Sequence, residues 1–306
     1  MSQPGASAAA LATAMIRAVH SRSDQDPLLD DTLADRILTD SERNAWLDRF
    51  QQMLTAEQRA AVAALSDPRS ALDLAVRQSP AYGGVIVRQR YAEDRLQVAL
   101  HAGVEQYVIL GAGMDSFALR TAGRHTGLQI FEVDQAPTQD LKRQRLRDAG
   151  IILPAQLRFV AADLTQPDLP ERLEAAGLAI NRPAFFSLLG VTQYLNHDQN
   201  LALLRSLASL AAAGSELVFD YLEPAALSPL QADSGVQRVA AERAASSEPW
   251  ALGLSPDSLA RDLDSCQWKQ WADLDWRTLQ RRYCTGRSDG LSVSAHLHVV
   301  AARRSE

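Results

Sequence analysis

The residues best suited to chemistry are Gly111, Gly113 and Asp115, followed at set distances by the acids Asp134 and Asp163. Gly111-Ala112-Gly113 comes directly after the apolar run 107–110. That is the pattern of a buried strand entering a turn tight enough to bring backbone against a ligand. A second apolar run, 128–133, closes on Asp134. An acid about 20 residues past such a turn is where strand–turn–helix–strand nucleotide units take ribose hydroxyls. A glycine turn alone is also ordinary turn chemistry; the acid ending the next strand shifts the reading toward a ligand. A dinucleotide fingerprint wants a third glycine three residues after the second, and that place is Ser116. Asp115 sits in the turn itself, where an acid repels a diphosphate and suits an ammonium group. These features favour S-adenosylmethionine (SAM), which has an amino acid tail and no phosphate, over NAD or ATP. An NAD(P)-dependent oxidoreductase is the reading they disfavour.

The elements that must position these residues follow from periodicity. A helix is expected over 11–20, then, past the Asp26-Pro27 break, a largely helical stretch over 32–64 with Leu33, Ile37, Trp46, Leu47 and Phe50 at helical spacings. A helix over 92–102, closed by Gly103, leads into the first strand. Helix 137–149 carries Lys142, Arg143, Arg145 and Arg147, read as a solvated basic face. Further strands are expected over 157–162, 183–191 and 216–221, and two last ones over 266–276 and 292–300. Between them, 224–255 reads as a polar helical segment broken at Pro229 and Pro249. His296 and His298 stand two apart on one face of the last strand, with no third ligand suggested, so no metal is expected.

Bulk properties bound the class. The 306 residues suit one α/β unit with an attached helical part, and 46% hydrophobic with 22% charged residues is ordinary for a globular chain. A net charge of −6 argues against a partner held by nucleic acid phosphates. The two cysteines are too few for a disulfide framework or a zinc site. The start of the chain lacks the pattern of a signal peptide, and no run approaches the ~18 apolar residues of a membrane span. A cytoplasmic protein with no membrane partner is expected.

Gly111-Ala112-Gly113-Met114-Asp115, Phe131-Glu132-Val133-Asp134-Gln135 with Lys142, and Ala162-Asp163-Leu164 together resemble the leucine carboxyl methyltransferase family, in its bacterial branch of SAM-dependent O-methyltransferases. The resemblance covers about 25–222. It implies a class I methyltransferase fold: a Rossmann-like α/β three-layer sandwich with a mostly parallel seven-stranded sheet. It also implies a helical cap over 1–78, a SAM-binding core over 79–222, and a helical lid with the last two antiparallel strands over 223–306. Arg88 matches the family arginine that holds the SAM carboxylate, a role suited to a planar bidentate donor. Gly111, Ala112, Gly113 and Gly190 are expected to border the cofactor and Asp134 to take its ribose. Asp163 is expected to accept from the adenine amine and the Leu164 N–H to meet a ring nitrogen; Asp163 as a plain helix cap is the other reading. Leu189 stands where the family often has a ligand-touching Glu, and Phe117 where it often has Arg.

The expected reaction is methylation of a small-molecule oxygen. A carboxylate acceptor needs a cation to hold it; a hydroxyl acceptor needs a base. Tyr194 and His197 are the candidates near the transfer face, His197 also reading as a plain helix-start residue; Arg238, Arg243 and Trp250 are the notable lid side chains. A SAM-binding protein without catalysis is the remaining alternative, and the oligomeric state stays open.

Overall fold

Apolar runs without polar alternation become parallel strands when both of their faces are covered. In the computed structural model they do. It describes residues 6–304 apart from 54, 66, 229, 233 and 245–247; the side chains of 53, 58, 61, 68, 234, 235, 238, 242 and 243 also lie outside the description. The expectation for Arg238 and Arg243 therefore falls outside the described residues.

The chain begins with helices: α1 (Ala8–Ser23), α2 (Thr32–Arg36), α3 (Asp40–Met53), α4 (Ala56–Ala63), α5 (Pro68–Arg77) and α6 (Tyr82–His101). Strand and helix then alternate through β1 (Gln106–Leu110), α7 (Phe117–Arg120), β2 (Gln129–Asp134), α8 (Ala136–Asp148), β3 (Leu157–Ala161), α9 (Leu169–Ala175), β4 (Phe185–Leu188), α10 (His197–Leu210) and β5 (Glu216–Leu222). The last elements are α11 (Ser234–Ala244), α12 (Pro256–Ser265), β6 (Trp268–Asp275), α13 (Trp276–Tyr283) and β7 (Leu297–Arg304). The described strands form one seven-stranded sheet in the order β3-β2-β1-β4-β5-β7-β6. The first five are parallel, and β7 runs antiparallel between β5 and β6.

Side-chain alternation along β1 builds the layers. Tyr107 and Ile109 enter a core shared with α1, α6 and α8, while Val108 and Leu110 enter the opposite core, shared with α9, α10 and α12. The order reverses between β1 and β4, and open α/β sheets bind ligands at the carboxyl ends of strands at such a switch point. The turns after these two strands, at Gly111 and Gly190, therefore frame the site.

Three expectations are corrected. Helix α6 starts at Tyr82, about one-half of its length ahead of the expected 92. Gly83 belongs to it, because a Cβ there would overlap the Ser292 carbonyl packed against the helix. The last strand starts at Leu297, not 292: His296 has φ 70°, outside extended backbone, so 292–296 pack elsewhere. The basic run on α8 is a solvated face only in part, at the exposed Arg143 and Arg147. Lys142 is 1% exposed and ion-paired with the equally buried Glu132 of β2, and Arg145 pairs with Glu42 of α3 at 2.8 Å.

Candidate active site

The turn after β1 is closed by the acid that ends β2. Asp134 Oδ2 accepts from the Gly113 N–H at 2.6 Å and Oδ1 from the Gln135 N–H at 2.7 Å. Burial pushes the Asp134 carboxyl up, and the two N–H donors oppose this without cancelling it. Gly113 has φ 51°, and a Cβ there would lie 2.9 Å from Ala10 Cβ on α1. Glycine is thus required both by the backbone and by the helix laid across the turn. Asp115 is buried, accepting from Gln89 Nε2 at 3.1 Å and the Phe117 N–H at 2.7 Å.

A second acid clamps the turn after β4. Asp220 on β5 accepts from Arg88 Nη1 at 2.9 Å and, through its other oxygen, from the Gly190 N–H at 2.5 Å. Gly190 has φ 70°, and a Cβ there would sit 2.5 Å from Arg88 Nη2. The guanidinium therefore lies flat against a bare backbone turn. Past β3, Asp163 Oδ1 accepts from the Thr165 N–H at 2.9 Å and the Thr165 hydroxyl at 2.8 Å. It does not cap a helix; α9 starts later, at Leu169 with Asp168 before it.

These residues share one cavity of about 1980 Å3. Arg88, Gly111, Ala112, Gly113, Asp134, Asp163, Leu164 and Gly190 all line it, as does Tyr194. Leu189 supplies apolar wall there where a ligand-touching Glu was the family expectation. The cavity continues under the helices, where Trp46 and Phe50 of α3 and Trp250 of the lid segment form walls. Tyr194 is half-buried, and its hydroxyl meets no described partner.

His197 is not brought to this cavity. It opens α10 behind an Asn196–Gln199 capping box, and its Nε2 lies 3.2 Å from Asp262 of α12. The side chain is 49% exposed and joins two helices on the sheet's other face. Among the described residues lining the cavity there is no histidine.

Several residues at the site escaped the sequence reading. Asp220 had a signal: an acid inside the apolar run of β5. Arg17 had a similar one, a cation inside the apolar middle of α1; it reaches Met114 O at 2.5 Å and Asp31 at 2.8 Å. Asp31 caps α2, accepts from Ser116, and joins α1, α2 and the glycine turn into one buried knot. Gln193 and Gln89 had none.

Comparison with known proteins gives the family of the chain. The family model described as leucine carboxyl methyltransferase matches residues 10–208. A Bacillus subtilis relative carrying the name "Putative S-adenosyl-L-methionine-dependent methyltransferase YktD" is 31% identical over 95% of this chain and 96% of its own. Two solved structures share the fold at low identity. A Thermobifida fusca protein titled as a methyltransferase has TM-score 0.56 at 18% identity, over 78% of this chain and 88% of its own. A Streptomyces avermitilis DUF574 family protein has TM-score 0.55 at 16%, over 85% and 97%. The match over most of the sheet and its glycine turn means that this chain belongs to the leucine carboxyl methyltransferase family.

Proposed function

We propose that this chain transfers the methyl group of SAM to a carboxylate or hydroxyl oxygen of a small molecule. Methyl transfer from SAM, the cofactor, rests on the family and on the name of the B. subtilis relative. The oxygen acceptor rests on the carboxyl methylation in the family's description, and room for a small molecule rests on the cavity. At about 1980 Å3 it is roughly twice the ~1,000 Å3 upper end of ordinary ligand pockets, room for cofactor and acceptor side by side. That continuous cavity is the observation that carries the reading.

The residues present fit the cofactor. Gly111, Gly113 and Gly190 present bare backbone at the cavity wall. Asp134 keeps lone pairs beyond those taken by Gly113 and Gln135, enough for two ribose hydroxyls. Asp163 keeps Oδ2 for an amine, since its hydrogen bonds use Oδ1. Arg88 has Nη2 beside Gly190 for a carboxylate, while Asp220 holds Nη1. Asp115 offers an acid in the turn for an ammonium group.

SAM, when bound, would supply an electrophilic methyl carbon on a sulfonium with S-adenosylhomocysteine as its leaving group. The chain's part is to position the acceptor. Tyr194, next to the Gly190 turn, holds the acceptor oxygen through its uncommitted hydroxyl. A carboxylate acceptor has no proton to lose; the proton of a hydroxyl acceptor passes to water, the described lining having no histidine. His197 takes no part.

Calorimetric titration with SAM and separately with NAD tests the cofactor; micromolar SAM binding without NAD binding is expected, and its reverse ends this reading. Given turnover, Tyr194→Phe is expected to lower kcat about tenfold or more with SAM affinity unchanged. An unaltered kcat removes Tyr194 from the reaction.

A further inference from the structure

Residues 248–251 of the lid segment wall the cavity, and this stretch is held at both ends. At one end the Gln193 carbonyl, past β4, accepts from the Ala251 N–H at 2.7 Å and from the Leu252 N–H at 3.3 Å. The Leu254 N–H donates to the Leu222 carbonyl of β5 at 2.9 Å. Gly253 lies so close to the chain past β5 that a Cβ there would stand 2.6 Å from Pro224 Cα. Backbone contacts therefore fix 251–254 to the sheet. At the other end the hold is through a side chain: Glu248 Oε2 accepts from the Ala9 N–H at 3.1 Å.

The Glu248 end lies at the cofactor's part of the cavity. Ala9 is in the first turn of α1, where N–H groups have no partner inside the helix and an acid is favoured. The next residue, Ala10, is the one packed against Gly113. Burial raises the Asp134 carboxyl most, and the Glu248 charge adds to that rise, so the two carboxylates lie within electrostatic reach of each other. Helix α1 is the fixed partner: the Ser7 N–H donates to Thr138 Oγ1 of α8 at 3.0 Å, and Arg17 pairs with Asp31. Parting Glu248 from α1 breaks a side-chain contact at a half-buried residue, whereas parting 251–254 from the sheet breaks backbone hydrogen bonds.

We propose that 248–252 form a strap, hinged at 251–254 and latched by Glu248 on the first turn of α1, whose opening admits SAM and releases S-adenosylhomocysteine. This rests on the cofactor lying at Gly113 and Asp134, as read above, and not on the identity of the acceptor. A latch that is made with and without cofactor raises the barrier to entry and to exit alike. Breaking it speeds both rates and leaves Kd in place. A residue that touches the cofactor behaves otherwise: its loss speeds release and weakens Kd.

The test follows association and release of S-adenosylhomocysteine by surface plasmon resonance on the full chain. Glu248→Ala is expected to raise both rates roughly threefold or more, with Kd changed by less than about twofold. Glu248→Gln keeps an acceptor and loses the charge, and should fall between Glu248→Ala and the wild type. Ala9→Pro removes the N–H itself at a first-turn position, where no intrahelical hydrogen bond is lost, and should match Glu248→Ala. The double variant Ala9→Pro/Glu248→Ala should be no faster than either single one, which ties the effect to this contact. Unaltered rates in Glu248→Ala overturn the proposal. So does faster release at unaltered association, which would set Glu248 against the cofactor. Effects that multiply in the double variant overturn it too, because Glu248 would then act through another partner. In each of these cases the cofactor assignment stands. Failure of the wild type to bind S-adenosylhomocysteine would end that assignment, and the role of the strap with it.

Discussion

At the scale of single residues the site is organised by two acids, each holding a glycine turn by its N–H: Asp134 with Gly113, and Asp220 with Gly190. Asp134 is the sharper case. Burial raises its carboxyl against the two N–H donors that stabilise the charge, so its ionised form is disfavoured in the free protein relative to an exposed aspartate. In the proposed site, ribose hydroxyls would donate to the ionised form and favour it. SAM affinity should therefore fall as pH drops through this raised value, starting above the usual aspartate range near ~3.9. Asp134→Asn keeps the shape and loses the charged acceptor, worth about 1.5–3 kcal/mol per charged hydrogen bond, or roughly 10- to 100-fold in Kd. Calorimetry reads both effects; an Asn variant with unaltered affinity would free the ribose assignment from Asp134. The glycine turn with Asp134 was legible because backbone strain and ligand approach restrict residue type at those positions. Asp220 was not, since nothing local tells an acid that clamps a distant arginine from one that is merely solvated. The misreading of Lys142 has the same origin: its partner Glu132 lies on another element, and a basic residue on a helix looks alike whether exposed or buried.

At the scale of elements, α1 and α6 close the sheet's switch point, α1 by lying against Gly113 and α6 by the Arg88 side chain against Gly190. Alternation of apolar strands and helical stretches made β1 to β5 readable, since a strand buried on both faces leaves a continuous run. The start of α6 was hidden by its glycines, which lower helix propensity yet are needed for the packing of 292–293. Gly83→Ala separates these two effects. Alanine gains about 0.8–1.0 kcal/mol of helix propensity, but its Cβ would meet the Ser292 carbonyl, a backbone atom that cannot swing aside. Overpacking costs about 1–3 kcal/mol. Packing is expected to win, with a net loss of roughly 1–2 kcal/mol and a melting temperature several degrees lower. Arg88 lies little more than one turn further along the same helix, so SAM affinity should fall too. A Gly83→Ala protein that melts higher than wild type would mean that 292–293 yield easily and do not fix α6.

At the scale of the whole molecule, the antiparallel edge is tied to the lid's point of departure by a polar cluster that no periodicity foretold. His298 on β7 contacts Asp273 of β6 through Nδ1 at 2.8 Å and Glu223, just past β5, through Nε2 at 3.0 Å. The Tyr221 hydroxyl donates to Asp273 at 2.8 Å and lies 3.0 Å from His298 Nδ1, and His296 meets the other Glu223 oxygen at 2.9 Å. Asp275 also feels the His298 charge. Burial would lower the His298 pKa, but Asp273 and then Glu223 outweigh it, and the imidazole is held above its usual value. For Glu223, burial is likewise outweighed by the two histidines, and the carboxyl sits below its usual range. A histidine raised in the fold contributes stability that is complete below its unfolded pKa of ~6.5 and is lost as pH rises through the higher folded value. Above that value, Asp273 and Glu223 flank a neutral ring and lose the charge that joins them. The melting temperature is therefore expected to fall as pH rises from about 6.5 through the raised folded value, and His298→Gln should start lower and show a flatter fall. The second variant Glu223→Gln keeps His298 paired with Asp273 alone and should give an intermediate slope. Parallel curves for wild type and His298→Gln would show that this cluster carries no charge-dependent stability, and that the edge strands hold the lid segment by apolar packing alone.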